Sequence, residues 1–276
     1  MNKPRVAIQG IKASFHQEAA VKFFGEDIDL VECTSFKQTF EALSRKEADY
    51  VVMAIENSIA GSLLPNYSLM MNYNFPVVGE VSLRIQLHLL AYPGVKFEDV
   101  KFAISHPIAL RQCVDFMEEY PHIKIIESSD TAACAKRVHD EKLTDTVAIA
   151  NSMAAELYEL DFLEKRIESN KKNYTRFLIL ADKQNGVVAD PNKASLGFQA
   201  GNEVGSLAKV LNIFAEHEVN LSKIQSMPVL GKRSEYMFYA DVEWMEAAQY
   251  DSAIKQVLKH THNFNILGEY HKNDKI

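Results

Sequence analysis

Tyr50-Val51-Val52-Met53-Ala54-Ile55-Glu56-Asn57-Ser58 is the stretch that decides the fold class. Residues 50–55 are apolar or aromatic without alternation, the pattern of a strand covered on both faces, as in a parallel sheet flanked by helices. Glu56-Asn57-Ser58 then ends the strand with groups able to cap a following helix. The same grammar recurs on both sides. Upstream, a strand over 5–9 leads to a helix over 15–24. A strand over 30–33 leads to a helix that Ser35 can cap and that carries Phe36, Phe40 and Leu43 on one face. Downstream, Val81, Leu83, Ile85, Leu87 and Leu89 alternate with other residues, which predicts one long half-buried strand crossing to a second lobe. Strand–helix pairs follow at 101–104 and 107–119, 123–126 and 131–140, and 147–150 and 153–159. A strand over 175–181 closes this part. Repeated strand–helix units predict a two-lobed, doubly wound α/β domain.

Residues 184–193 are poor in apolar groups and contain Gly186 and Asp190-Pro191-Asn192, the signature of a linker. Beyond it, strands over 195–200, 221–225, 236–243 and 264–267 interleave with helices over 205–216 and 247–259. The order βαββαβ predicts a ferredoxin-like module.

The chain has 276 residues and a formal net charge of -7. With no basic tract, this argues against nucleic acid as partner. No apolar stretch is long enough to span a bilayer, no signal core precedes the first strand, and Cys33, Cys113 and Cys134 are scattered. These features predict a cytoplasmic protein with reduced, buried thiols.

Chemistry concentrates at the strand-to-helix turns. Ser14, Asn57 and Ser58, Ser105 and His106, Ser129 and Thr131, and Asn151 and Ser152 all fall where an open α/β sheet binds ligands. Free N–H groups and the helix dipole favour anions there. No P-loop or dinucleotide glycine fingerprint is present, so a carboxylate ligand fits better than a nucleotide. The pair His260 and His262 lies at a helix end, and no Cys/His cluster has zinc-site spacing.

Asn173-Tyr174-Thr175-Arg176-Phe177 is similar to the Asn-x-Thr-Arg-Phe motif of prephenate dehydratases. Residues 55–58 resemble that family's Ile-Glu-Asn-Ser segment, and 105–107 its Ser-His-Pro run; residues 154–158 supply a further match. The C-terminal part resembles the ACT regulatory domain usually fused to it. The resemblance implies a periplasmic-binding-protein-like catalytic domain at 1–183, with lobe one at about 1–78 plus 175–183 and lobe two at about 79–174. A linker at 184–193 and an ACT domain at 194–276 complete the chain. It further implies conversion of prephenate to phenylpyruvate, water and carbon dioxide without metal or organic cofactor, regulation by L-phenylalanine, and a homodimer or homotetramer. Arogenate dehydratase and a non-catalytic two-lobed sensor are the alternatives.

On this resemblance Thr175 donates a hydrogen bond to the leaving hydroxyl, with Glu56 and His106 as candidate proton sources. Arg176 grips the pyruvyl carboxylate, Asn173 joins the substrate site, and the ring carboxylate lies near Phe177. Glu203, Val204, Gly205, Ser206 and Leu207, with Asn220 and Leu221, are the candidate regulatory contacts. The chain departs from the family's first turn, Gly-Pro-x-Gly-Thr-Phe-Ser, which here reads Gly10-Ile11-Lys12-Ala13-Ser14-Phe15-His16. In the ACT part, Glu-Ser-Arg-Pro appears as Gln225-Ser226-Met227-Pro228 and Gly-Ala-Leu as Gly205-Ser206-Leu207, removing two charged groups.

Overall fold

A computed structural model describes residues 3–229 and 231–273. The first sheet contains β1 (Arg5–Gln9), β2 (Asp29–Cys33), β3 (Tyr50–Asn57), the short β4 (Gly61–Ser62), β5 (Val77–Arg84) and β11 (Tyr174–Ala181). Its order is β2-β1-β3-β11-β5, with β4 paired to β3. Strands β1, β2 and β3 are parallel, and β11 returns antiparallel between β3 and β5. The 50–55 run is thus central, as its unbroken apolar pattern requires. The second sheet holds β6 (His88–Ala91), β7 (Phe102–Ser105), β8 (Lys124–Glu127), β9 (Thr146–Ala150) and β10 (Asp161–Glu164), in the order β10-β6-β9-β7-β8.

Helix starts obey local capping chemistry. Ser14 caps α1 (Phe15–Phe24), Ser35 caps α2 (Phe36–Ser44) and Asp130 caps α6 (Thr131–Asp140), each accepting a hydrogen bond from a backbone N–H three residues on. His106 caps α4 (Pro107–Gln112) and Asn151 caps α7 (Ser152–Leu157). Helix α3 (Leu64–Tyr73) follows β4.

Three expectations are corrected. The alternation over 81–89 is two strands, not one. The Ile85 N–H bonds to Asn173 O and the Leu87 N–H to a Glu168 carboxylate oxygen, so the chain leaves one sheet and joins the other between them. Strand β5 belongs to the first sheet, so lobe one runs through Arg84 rather than ending at residue 78. The helix expected over 107–119 breaks at Cys113 into α4 and α5 (Val114–Glu118).

The C-terminal module has β12 (Lys193–Ala200), α8 (Ser206–Glu216), β13 (Asn220–Pro228), β14 (Tyr236–Glu243), α9 (Ala247–Val257) and β15 (Thr261–Tyr270). The antiparallel order β13-β14-β12-β15 is the ferredoxin-like arrangement. One face of this sheet packs on α8 and α9 around Phe198, Phe214 and Trp244. The other packs on lobe one, where Tyr239, Leu267 and Tyr270 join Tyr67, Met70 and Val77 in one cluster. Gly268 lies so close to the Val77 backbone that a Cβ there would overlap it. The three cysteines are buried free thiols, and burial pushes each pKa up, that of Cys113 to about 12.

Candidate active site

A cleft of about 390 Å³ opens between the lobes at the carboxyl ends of the parallel strands. Ser14, Phe15 and His16 of the α1 start line it, with Asn57, the 60–63 turn, Ile85 and Leu87. From lobe two come His106, Ile108, Ala109, Gln112, Ser129, Asp130 and Thr131. Thr175 and Phe177 reach it from β11. Among these lining residues there is no lysine or arginine. An anion here meets the N-termini of α1 and α6 and neutral donors instead. The lobes also touch at the rim, where Asn151 Nδ2 donates to Glu18 Oε2 (3.1 Å) and Tyr158 Oη–H to Lys12 O (3.3 Å). Gly10, at φ +103°, passes close to Asp130; a Cβ would lie 2.7 Å from its carboxylate.

Thr175 is oriented by an amide relay. Asn57 Oδ1 accepts the Ile59 and Ala60 N–H groups, which turns its NH₂ group toward β11. The two N–H groups of Nδ2 then serve three acceptors, Thr175 Oγ1 (3.0 Å), Asn173 Oδ1 (2.7 Å) and Tyr174 O (3.2 Å), one N–H being shared between two of them. Asn173 passes the chain on to Gln112 Oε1 at 2.9 Å. Because Thr175 Oγ1 accepts from Asn57, its own proton is left for a ligand in the cleft. Asn173 is fully buried and does not line the cleft; it sets the relay rather than meeting substrate.

Strand alternation separates Arg176 from its neighbours. Its guanidinium lies on the opposite face of β11, against the C-terminal module. It donates to Glu56 Oε1 (2.5 Å), Glu80 Oε2 (3.0 Å) and Asp241 Oδ2 (2.5 Å). Desolvation works against its charge, but Asp241, Glu56 and Glu80 outweigh it and the pKa is raised. Lys193 adds ion pairs to Glu80 and Glu243, and Lys223 pairs with Glu56 and donates to Ser62 Oγ at 3.1 Å. Glu56 is desolvated, which favours its neutral form, yet Arg176 and Lys223 hold its carboxyl below the usual range. Two expectations are therefore corrected: Arg176 does not face the cleft to grip a carboxylate, and Glu56 is an ionised interface partner rather than a proton source.

Two further expected contacts are also turned away. Ser105 Oγ is buried and donates to Ile149 O, and Ser58 Oγ is engaged with Lys172 O and the Tyr174 N–H. His106 does line the cleft. Its Nδ1 accepts the Ile108 N–H, and burial lowers its pKa, so it presents a neutral Nε2–H rather than an acid. Ser14, Asn57, Ser129, Thr131, Thr175 and Phe177 remain in the cleft. His16, Gln112 and Asp130 are additions that the capping pattern did not single out. Asp130, as the cap of α6, could have been read from its place before Thr131. Burial raises its pKa, against the backbone N–H groups that lower it.

The family described as prephenate dehydratase matches residues 6–185, and the ACT domain matches residues 194–243. The chain belongs to the prephenate dehydratase family. It is 35% identical to the Arabidopsis thaliana protein named arogenate dehydratase/prephenate dehydratase 2, chloroplastic, over 98% of this chain and 73% of that one. A prephenate dehydratase from Arthrobacter aurescens, solved in complex with L-Phe, superposes with a TM-score of 0.87 at 25% identity, covering 99% of this chain and 91% of that one. A protein described as a novel type of quorum quenching acylase superposes at 0.88 with 28% identity, covering 98% of each.

In this chain the ACT domain follows the part that the prephenate dehydratase model matches. Its helix start forms a second concavity, lined by Glu203, Gly205, Ser206 and Leu207, with Arg233, Tyr236 and His262 opposite. Val204 is fully exposed outside it. Asn220 and Leu221 are not in it either. They follow the far end of α8, about 16 Å from Ser206 at 1.5 Å per residue. Met227 packs toward the catalytic domain. Among the described residues no group of three His, Cys, Asp or Glu is placed to hold a metal, and no helix is long and apolar enough to cross a membrane.

Proposed function

We propose that this chain is a prephenate dehydratase that converts prephenate to phenylpyruvate, water and carbon dioxide. The observation that carries this reading is the Thr175 hydroxyl. Asn57 holds it as a donor at the edge of a cleft whose anion-binding groups are helix ends and neutral side chains. As the C–O bond breaks, the ring carboxylate leaves as carbon dioxide and negative charge moves to the departing hydroxyl, which takes up one proton from solvent to leave as water. A donor at that oxygen strengthens in the transition state, whereas a fixed cation on the ring carboxylate would stabilise the ground state. Ser14, Ser129, Thr131 and His106 bind the dianion. The division into a catalytic domain, a linker and an ACT domain supports phenylalanine control from the concavity around Ser206. The protein is a homodimer or homotetramer in which Asn220 and Leu221 of a second copy complete that concavity. The protein acts in the cytoplasm.

Asp130 favours a second substrate. It is the carboxylate among the lining residues, and the ammonium of arogenate could bond to it where prephenate offers a ketone. An acylase would need an activated nucleophile, and among the described residues no cleft hydroxyl is hydrogen-bonded to an imidazole. The test is phenylpyruvate formation from prephenate, in competition with arogenate, with and without L-phenylalanine. Turnover of arogenate alone would reassign the substrate, and no turnover of either would refute the reading.

A further inference from the structure

His16 stands where the family's first turn carries serine, and nothing in the capping pattern explains it. Its ring lines the cleft from the first turn of α1 and packs edge-on against Phe36 and Phe177, with centroids 5.4 and 5.2 Å away. Nε2 accepts the Ala54 N–H at 3.4 Å, just beyond the last paired residues of β1 and β3, Ile8 and Val52. That bond makes Nε2 the acceptor and places the proton on Nδ1. Among the described residues Nδ1 has no hydrogen-bond partner. Desolvation lowers the pKa to about 4, so the ring is neutral at physiological pH.

We infer that the His16 imidazole is a substrate-binding group that donates a hydrogen bond from Nδ1 to the ring carboxylate. The inference rests on the dehydratase reading. The carboxylate and hydroxyl of the substrate stand at opposite ends of a six-membered ring. On this chain Thr175 and Phe177 are two residues apart on one face of β11, about 6.6 Å at 3.3 Å per residue. With Thr175 at the hydroxyl, the far end of the ring falls beside Phe177, where His16 packs. The carboxylate there must give up its charge. A neutral donor can orient it without the full ground-state stabilisation that a lysine or arginine would impose. The apolar walls, Leu63, Ile85 and Phe177, act in the same direction by favouring loss of charge.

Two substitutions separate this role from a structural one. In His16→Asn the amide falls near the Nδ1 position and keeps a donor for substrate. In His16→Gln it falls near Nε2 and keeps only the acceptor for Ala54. His16→Asn should retain most of the wild-type kcat/KM for prephenate. His16→Gln, folded with an unchanged Tm, should lose about tenfold to a hundredfold, chiefly in KM, as expected for one hydrogen bond to a charged group. The reverse order, or equal activity of the two, overturns the inference. A measurement independent of either variant's folding uses wild-type protein labelled with ¹⁵N-histidine. Added cis-4-hydroxycyclohexanecarboxylate should shift the His16 Nδ1 resonance, and an unmoved resonance overturns the inference too. Wild-type protein that forms no phenylpyruvate from prephenate refutes the dehydratase reading on its own, before any variant is compared.

Discussion

Arg176→Ala removes the cation shared by Glu56, Glu80 and Asp241, and the consequence can be worked through partner by partner. The side chains concerned are nearly buried, 12% exposed for Arg176, 4% for Glu80 and 8% for Asp241. After the change Glu80 keeps Lys193 and Glu56 keeps Lys223. Among the described residues Asp241 keeps only the Ser195 hydroxyl, at 2.6 Å. The cost therefore falls mainly on one buried carboxylate left without a cation, about 3–5 kcal/mol by analogy with broken buried pairs. Denaturant unfolding should show a loss of that size. Asp241→Asn placed on top should recover part of it, with a coupling of roughly 1–3 kcal/mol in the double-mutant cycle. Arg176→Lys should not rescue, because one ammonium cannot span three carboxylates as a guanidinium fork does. If Arg176→Ala unfolds within about 1 kcal/mol of wild type while KM for prephenate rises by an order of magnitude or more, the side chain binds substrate and the assignment to the interface is wrong.

Thr175→Ala should lower kcat by about 10²–10³, the cost of removing one donor from developing charge, while Thr175→Ser should stay within about tenfold of wild type. Near-normal turnover by the alanine variant would remove Thr175 from the chemistry. Gly268→Ala puts a methyl into the Val77 backbone, which no rotamer relieves, and should lower stability by about 1–3 kcal/mol and raise protease cleavage in the connection between β11 and β12, which spans 182–192 because Lys193 already belongs to β12. An unchanged melting curve would refute the close docking. For His16 the folded pKa, about 4, lies below the usual 6.5, so the unfolded chain binds the extra proton between those values. Stability should fall as pH drops from 6.5 toward 4, by roughly 3 kcal/mol at 1.36 kcal/mol per unit, and His16→Asn should flatten that slope. Unfolding midpoints across that range provide the check. Glu56, whose pKa is depressed, contributes stability present above its ordinary pKa and lost at still lower pH.

Local rules carried the sequence a long way. Ser14, Ser35 and the apolar periodicity place α1 and α2 at their observed starts, because a cap and a hydrophobic stripe act over one or two turns. The βαββαβ order of the C-terminal module and the run of hydroxyls at the cleft follow from the same short-range information. Even the alternation of Thr175, Arg176 and Phe177 was implicit in a period of two, which puts the arginine opposite the other two. The sequence could not say what each face of β11 meets. That depends on docking the C-terminal sheet against lobe one, which brings Asp241 and Lys223 to residues 65 and 167 positions away along the chain. Arg176 and Glu56 became interface ions, and His16 a cleft donor, because long-range packing decides which neighbours a charge or a proton finds.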